Sequence, residues 1–350
     1  MTEDRAILAL GSAAFAISDY EDLCKRYQID TIPLAGLIDH ASATAAIADA
    51  IAARAVAGKS PYAAFIRFFG TGIFYPFNEN IFGPLTKNGC RLFCGAGAGY
   101  DNTDTEWLAS QGAYYCNTPT AITVSTANGA LMLILAATRA ASQGDIYTKA
   151  GKWRGDASVP GDFFPLGQDI EGMTLGIIGF GSIGKALALR AQACGMNIIY
   201  NNRRRVPKSE ENGATYVSMD DLLATSDVIS VNCPLTSETR HLLGPMEFSK
   251  MKTGVFIVNT ARGASSTRLW FKRSNLAKVM SRAGLDVFEN EPKIHPGLRD
   301  PSLFYRVTLQ PHTTGRTTQS FLKGELQLIK SLEEFMRGEK PEYAVNDPKL

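Results

Sequence analysis

The chain has 350 residues, 45% of them hydrophobic and 20% charged, and its 36 basic residues nearly cancel 34 acidic ones to leave a formal net charge of +2. That length and composition describe an ordinary globular protein of two domains with enough apolar mass for a real core. The charge balance excludes an electrostatic footprint for nucleic acid or for an anionic membrane surface, and no apolar run reaches the length of a transmembrane helix.

In chain order, Ala6–Gly11 reads as a strand, followed by a helix around Tyr20–Tyr27, a strand at Ile29–Leu34 and an Ala-rich amphipathic helix over Ala41–Ala57. Short apolar runs at Ala63–Phe69, Cys90–Cys94 and Ala113–Cys116 continue the strand series. One long apolar helix is expected over Val124–Ser142, then a loop over Gly151–Gly167, rich in Gly, Pro and Asp. A second series opens with Leu175–Ile178 and runs through strands at Asp227–Val231, Val255–Asn259, Ala283–Val287 and Arg306–Pro311 to a helix over Thr317–Arg337. Strands separated by helices imply parallel sheets, because parallel neighbours need long crossovers. The opening MTEDRAILALG has too short an apolar stretch for a secretory signal, so a cytoplasmic location is expected. The final PKL departs from the peroxisomal SKL address at Pro348. The six cysteines are scattered, and the lone CxxxC of Cys90 and Cys94 lacks a second pair or a nearby His; reduced thiols and no metal site are expected.

Gly179-Phe180-Gly181-Ser182-Ile183-Gly184 fits GxGxxG between an apolar strand and an Ala/Leu-rich helix. In that setting Gly179 serves the tight turn, Gly181 lets the backbone approach a pyrophosphate, and Gly184 lets helix and strand pack closely. The phosphates rest on a helix N-terminus, where free N–H groups and the dipole favour an anion. A site for NAD carries an acidic residue about 20 residues beyond the first Gly, on the ribose diol. Here the next strand ends at Tyr200 and is followed by Asn201-Asn202-Arg203-Arg204-Arg205, with no carboxylate. Guanidinium groups there suit a 2′-phosphate, so NADP is favoured over NAD, with Asn202, Arg203 and Arg204 as contacts.

Three later segments carry more specific signal: Val258–Gly263 (VNTARG), Ala283–Pro292 (AGLDVFENEP) and Leu309–His312 (LQPH). Others are Asn232-Cys233-Pro234-Leu235-Thr236 with Thr239, Gly97-Ala98-Gly99-Tyr100-Asp101, and Asn117-Thr118-Pro119. In this order, and over nearly the whole chain, the motifs closely resemble the D-isomer-specific 2-hydroxyacid dehydrogenase family, in its glyoxylate/hydroxypyruvate reductase or D-mandelate dehydrogenase branch. The resemblance implies two Rossmann-like or flavodoxin-like α/β domains, each a doubly wound parallel sheet, with the active cleft between them. The substrate domain would be residues 1–118 plus 313–350, and the dinucleotide domain residues 119–312. It also implies a homodimer and reduction of a small 2-oxo acid (glyoxylate, hydroxypyruvate or a bulkier one) to the D-2-hydroxy acid.

Chemistry explains the residue types. Hydride delivered to C2 must be matched by a proton on the carbonyl oxygen, and a His titrating near neutral pH suits that task. By resemblance this is His312, oriented and kept charged by Glu291, while Arg262 binds the substrate carboxylate and polarises the carbonyl. The resemblance further assigns Asp286 to the nicotinamide amide, and Cys233, Pro234, Thr239, Thr260 and Ala261 to the cofactor lining. Backbone at Thr71, Gly72 and Gly97 would hold the substrate carboxylate. Phe69, Phe74, Tyr75 and Phe77 either line a pocket there or pack in the core. The remaining histidines, His40, His241 and His295, read as helix, loop and surface residues. Two other readings stay open: a dinucleotide-sensing binding protein, since the family includes corepressors, and an inactive paralogue.

The last of these comes from one segment. After Ala264 the family continues with two aliphatics, Asp-Glu and an amphipathic helix; this chain has Ser265-Ser266-Thr267-Arg268-Leu269-Trp270-Phe271-Lys272-Arg273-Ser274-Asn275-Leu276-Ala277-Lys278, with four basic residues and no acid. One choice of synonymous codons for 264–278, read from the last base of the first codon, encodes IVDEAVVQALELGK, which has the missing pattern. A compensated frameshift across 265–278 is the hypothesis. The coding DNA decides it: the shifted frame is expected to spell that aliphatic-acidic helix, and codons incompatible with it discard the idea.

Overall fold

The computed structural model describes residues 5–154, 164–265, 280–300, 303 and 306–348. The chain forms two compact units, Met1–Ile122 with Arg316–Leu350, and Thr123–Gly315.

The first unit contains β1 (Ala6–Leu10), α1 (Ile17–Arg26), β2 (Gln28–Ile32), α2 (His40–Val56), β3 (Tyr62–Arg67), α3 (Glu79–Lys87), β4 (Leu92–Gly95), α4 (Thr105–Ser110) and β5 (Tyr114–Cys116), and closes with the C-terminal helix Thr318–Met336. Its sheet is parallel, in the order β2-β1-β3-β4-β5. All five residues of β1 are buried, as a strand covered on both faces requires. The order reverses between β1 and β3, so the turns that leave these strands, residues 11–16 and 68–72, lie at a topological switch point on the carboxyl edge.

The second unit contains α5 (Thr123–Arg139), α6 (Ala141–Lys149), β6 (Thr174–Ile178), α7 (Ser182–Ala193), β7 (Asn197–Asn201), β8 (Thr215–Tyr216), α8 (Met219–Thr225), β9 (Val228–Val231), α9 (Pro245–Lys250), β10 (Val255–Asn259), β11 (Met280–Leu285) and β12 (Val307–Leu309). Its parallel sheet runs β12-β11-β10-β9-β6-β7-β8, with the switch point between β6 and β9. One core cluster joins Leu133 and Ile134 of α5 and Leu187 of α7 to the sheet; the other joins Leu222, Leu223 and Phe248 of α8 and α9 to its opposite face.

The single helix expected over Val124–Ser142 is two helices. Ala140 adopts φ 51, and α6 leaves α5 at 68°. The Arg282 guanidinium reaches the carbonyls of Ala137 and Thr138 at 3.5 and 3.4 Å, satisfying acceptors at the end of α5 from outside the helix. Helices α3, α4, α8 and α9 have no counterpart in the sequence reading. In α3 the buried Ile81, Phe82 and Leu85 flank Gly83 and Pro84, which mask the helical pattern. Among the described residues, no single helix is long and apolar enough to cross a membrane.

Of the atypical segment, only Ser265 is described; 266–278 lie outside the described residues, as does most of the expected loop over Gly151–Gly167. Ser265 is fully buried and its hydroxyl has no hydrogen-bond partner among the described residues. A buried orphan hydroxyl is unfavourable, and the shifted reading frame puts isoleucine at this position.

Helix α1 has no side-chain cap of its own. The turn leading into it is held by the C-terminal helix, where buried Glu325 accepts the N–H groups of Ala14, Phe15 and Ala16 at 3.0, 2.8 and 2.7 Å. The carboxylate thereby pins the turn after β1. Glu325→Ala is expected to cost about 3 kcal/mol, because amide donors lose a charged acceptor, and Glu325→Gln less. Denaturant unfolding measures both.

Candidate active site

Arg262, Glu291 and His312, each from a different strand-end turn, all belong to the second unit. Arg262 follows β10 in a turn held by Asn259, which accepts the Ala261 N–H at 3.0 Å and donates to the Arg262 carbonyl at 2.9 Å. Gly263 then passes the chain that follows β11: a Cβ there would sit 2.0 Å from the Phe288 carbonyl carbon and 2.3 Å from the Glu289 nitrogen. No other residue type allows that approach.

Glu291 is held on one side by the Phe288 N–H at 2.8 Å and on the other by His312 Nδ1 at 2.7 Å. Burial alone would raise its carboxyl; the His312 hydrogen bond and charge, the Phe288 N–H and nearby Arg262 outweigh burial and hold it below the usual carboxylate range. An ionised carboxylate only accepts, so Nδ1 carries a hydrogen and Nε2 is left to reach a ligand. The His312 side chain is 46% exposed. Its backbone has φ 56, and its N–H donates to the Asp286 carbonyl at 2.8 Å.

Asp286 has a structural role that the sequence reading did not give it. It is buried, and its carboxylate accepts the N–H groups of Thr313 and Thr314 at 2.7 and 3.2 Å and the Thr314 hydroxyl at 2.5 Å. It therefore anchors the turn that presents His312. A second His–carboxylate pair lies close by and was also missed: His241 Nε2 is 3.1 Å from Glu289, and the His241 N–H donates to the Ala264 carbonyl at 2.7 Å.

The glycine fingerprint lies at the β6/β9 switch point. Gly179 has φ 97, and a Cβ on it would stand 2.6 Å from the Cys233 nitrogen after β9. On Gly184 a Cβ would meet the Gly179 carbonyl oxygen at 2.3 Å, whereas Gly181 faces open space. Helix α7 begins at Ser182 and Ile183 with no side-chain cap, so its first-turn amides remain available to an anion. Among the described residues the buried Thr260 hydroxyl has no partner. These features fit a dinucleotide: a phosphate cradle where the glycine leaves room, and a polar group without a partner among the described residues. Burial pushes the Cys233 thiol up to about 11, so it lines the turn as a neutral group. Pro234 accepts the Thr239 hydroxyl at 2.6 Å, closing the loop after β9.

Past β7, Asn202 accepts the Phe180 N–H at 2.6 Å and so braces the fingerprint turn. Arg203 makes an exposed ion pair with Glu238 at 3.3 Å; Arg204 is exposed. Arg205 is engaged in a fork on Glu211, at 2.7 and 3.0 Å, and Glu211 also accepts the Tyr200 hydroxyl at 2.8 Å. Arg205 and Tyr200 hold the Glu211 carboxyl down at about 2.

In the first unit, Thr71 is buried and its hydroxyl donates to the Phe68 carbonyl at 3.0 Å, while Gly72 is exposed. The Gly97 N–H donates to Thr118 Oγ1 at 2.9 Å, so this residue shapes its turn and does not offer a free amide. Phe74 and Phe77 are core residues, Tyr75 is exposed and Phe69 half-buried. Beneath the turn lies a residue the sequence reading passed over. Arg67 is fully buried, donates to the Tyr115 hydroxyl at 2.8 Å and to Thr71 Oγ1 at 3.3 Å, and has no carboxylate partner among the described residues. A buried charge of this kind is invisible to periodicity, because a strand ending in Arg reads as one that has reached solvent.

Residues 131–314 match the profile described as D-isomer specific 2-hydroxyacid dehydrogenase, NAD binding domain. The chain is 40% identical over 258 residues to 4-methyl-2-oxopentanoate reductase A of Aspergillus oryzae, covering 73% of this chain and 75% of that protein. Its fold is similar to the crystal structure of a glyoxylate reductase from Paecilomyes thermophila (TM-score 0.86, 34% identity, 99% of both chains). It is also similar to the holo form of Rhodotorula graminis D-mandelate dehydrogenase (TM-score 0.87, 26% identity, 99% of both chains).

The Glu211 carboxyl is lowered on folding from 4.5 to about 2. Its contribution to stability is therefore present above 4.5 and lost as pH falls toward about 2. Thermal unfolding against pH checks this: the gap between the parent protein and Glu211→Gln should shrink across that window and be constant above it.

Proposed function

The chain belongs to the D-isomer-specific 2-hydroxyacid dehydrogenase family, and we propose that it reduces small 2-oxo acids with NADPH, protonating the carbonyl from His312. NAD(P)-dependent reduction of a 2-oxo acid is the activity of the family. The observation that carries the assignment of roles is the 2.7 Å contact between His312 Nδ1 and Glu291, in the same unit as Arg262 and the fingerprint turn.

A reduced nicotinamide dinucleotide bound at Gly179–Gly184 supplies the hydride. Glu291 holds the His312 ring through Nδ1, and Nε2 transfers the proton to the developing alkoxide. Arg262 binds the substrate carboxylate and stabilises negative charge on the carbonyl oxygen. Thr260, Ala261, Cys233, Pro234 and Thr239 line the dinucleotide. The first unit, through Thr71 and Gly72, is assigned to the substrate, with the Arg67 charge beneath that turn favouring an anion. Asn202, Arg203 and Arg204 are assigned to a 2′-phosphate. The exposure of Arg203 and Arg204 and the engagement of Glu211 by Arg205 support this, since among the described residues that follow β7 the sequence offers arginines where an NAD site carries an acid. A homodimer follows the family, and exposed apolar residues on α5 and α6 (Val124, Met132, Leu135, Ile146) support it. We assign the protein to the cytoplasm, in keeping with six free cysteines.

Reduced-nicotinamide absorbance with a panel of 2-oxo acids tests the reading. The expected result is turnover, with His312→Gln lowering kcat by about 100-fold or more. Higher kcat/KM with NADPH than with NADH is expected, and the Arg203→Ala, Arg204→Ala double variant should cut that preference by about tenfold or more. A strong NADH preference in the parent protein rejects the arginine assignment.

A further inference from the structure

The switch point of the first unit carries an aromatic cluster that its core absorbs only in part: Phe69 packs against the core residues beneath it, and the cluster's outer edge is left uncovered. Phe15, in the turn after β1, is 39% exposed. Phe69, in the turn after β3, and Phe321, in the first turn of the C-terminal helix, are each half-buried. The rings of Phe69 and Phe321 stack at 4.1 Å with 9° between their planes, and Phe15 meets Phe321 edge-on at 5.3 Å. Three separate chain segments thus bring their rings together on the carboxyl edge, between the strands where the sheet order reverses. Open parallel sheets bind their ligands at this place.

The cluster is supported from below. Gly324, one turn along the helix from Phe321, leaves a notch for Phe69: a Cβ there would come within 2.8 Å of the Phe69 ring. Next to it, Glu325 pins the turn carrying Phe15 through three backbone N–H groups. Phe69 itself precedes Gly70-Thr71-Gly72, the turn to which the substrate carboxylate is assigned above. A 2-oxo acid with its carboxylate at that turn has its C3 substituent a few ångströms away, within reach of a neighbouring ring. Partly exposed rings fixed by packing on both sides bury apolar surface well when a ligand covers them.

We propose that Phe15, Phe69 and Phe321 form the specificity wall for the substrate side chain, and that the preferred substrates are 2-oxo acids with a bulky apolar group, branched-chain or aryl, rather than glyoxylate. This rests on the reductase reading of the preceding section. Glyoxylate has only hydrogen at that position and leaves the wall uncovered. Arg316, whose guanidinium lies 5.5 Å from the centre of the Phe321 ring, makes a side-chain carboxylate the competing substrate chemistry.

The experiment compares kcat/KM for glyoxylate, 4-methyl-2-oxopentanoate, phenylglyoxylate and 2-oxoglutarate on the full chain. Each methylene buried in an apolar pocket gives about tenfold or more in selectivity. The branched and aryl acids should therefore exceed glyoxylate by about 100-fold, and Phe69→Ala and Phe321→Ala should each lower that ratio by about tenfold. Because the ratio does not depend on the fraction of protein folded, partial misfolding of a variant does not obscure it. A preference for glyoxylate or 2-oxoglutarate, or a ratio unmoved by both substitutions, overturns the wall. If no 2-oxo acid turns over, the reductase reading fails separately. Calorimetric titration with 4-methylpentanoate against acetate, in the presence of NADP⁺, then still decides: tighter binding of the branched acid upholds the wall and equal binding overturns it.

Discussion

The candidate site depends on one steric constraint: at Gly263 two stretches of backbone touch, and no Cβ can stand between them. Arg262 precedes that contact, and Phe288 and Glu289, which lead into Glu291, form its other side. Arg262 and Glu291 are therefore fixed relative to each other by main chain rather than by flexible side chains. Asn259 stiffens the first stretch with two hydrogen bonds, and Phe288 stiffens the second through its N–H on Glu291. His312 is brought to the same place by Asp286, which holds the residues after it and, through its carbonyl, the His312 amide. Preorganisation of this kind lets charged groups meet a developing charge without rearranging.

The polar groups around this frame divide by partner. Glu291 and Glu211 are each held below the ordinary carboxylate range by cations and donors that outweigh their burial. Asp286 and Glu325 face backbone amides and anchor turns. Among the described residues Arg67 has neutral acceptors: a phenol, a threonine hydroxyl and the Ala96 carbonyl. Carboxylates with dedicated donors belong to the architecture. A buried cation with no acid beside it leaves a positive field at a loop end, which is what an anionic ligand needs.

The sequence was most informative where chemistry forces residue type. Buried parallel strands such as Ala6–Leu10 read directly as continuous apolar runs, and the fingerprint glycines read as glycines because a Cβ would collide at two of them. Short helices were hidden: α3 carries Gly83 and Pro84 in its middle, and α4 and α9 have six residues each, too few to display a period. The break at Ala140 was hidden too, because alanine is a strong helix former and nothing in its residue type marks a positive φ. Asp286 shows the limit of motif reading. Its place in the AGLDV motif points to a site, but which atoms its oxygens hold is a property of the folded turn.

Arg262, Glu291 and His312 all belong to a single unit of the chain, and the aromatic residues at the other unit's switch point are supplied by separate segments. Genetic change in one set leaves the residues of the other untouched. A substitution among those rings therefore alters the first unit alone, and the main-chain contacts that fix the arginine, glutamate and histidine in the second stay as they are.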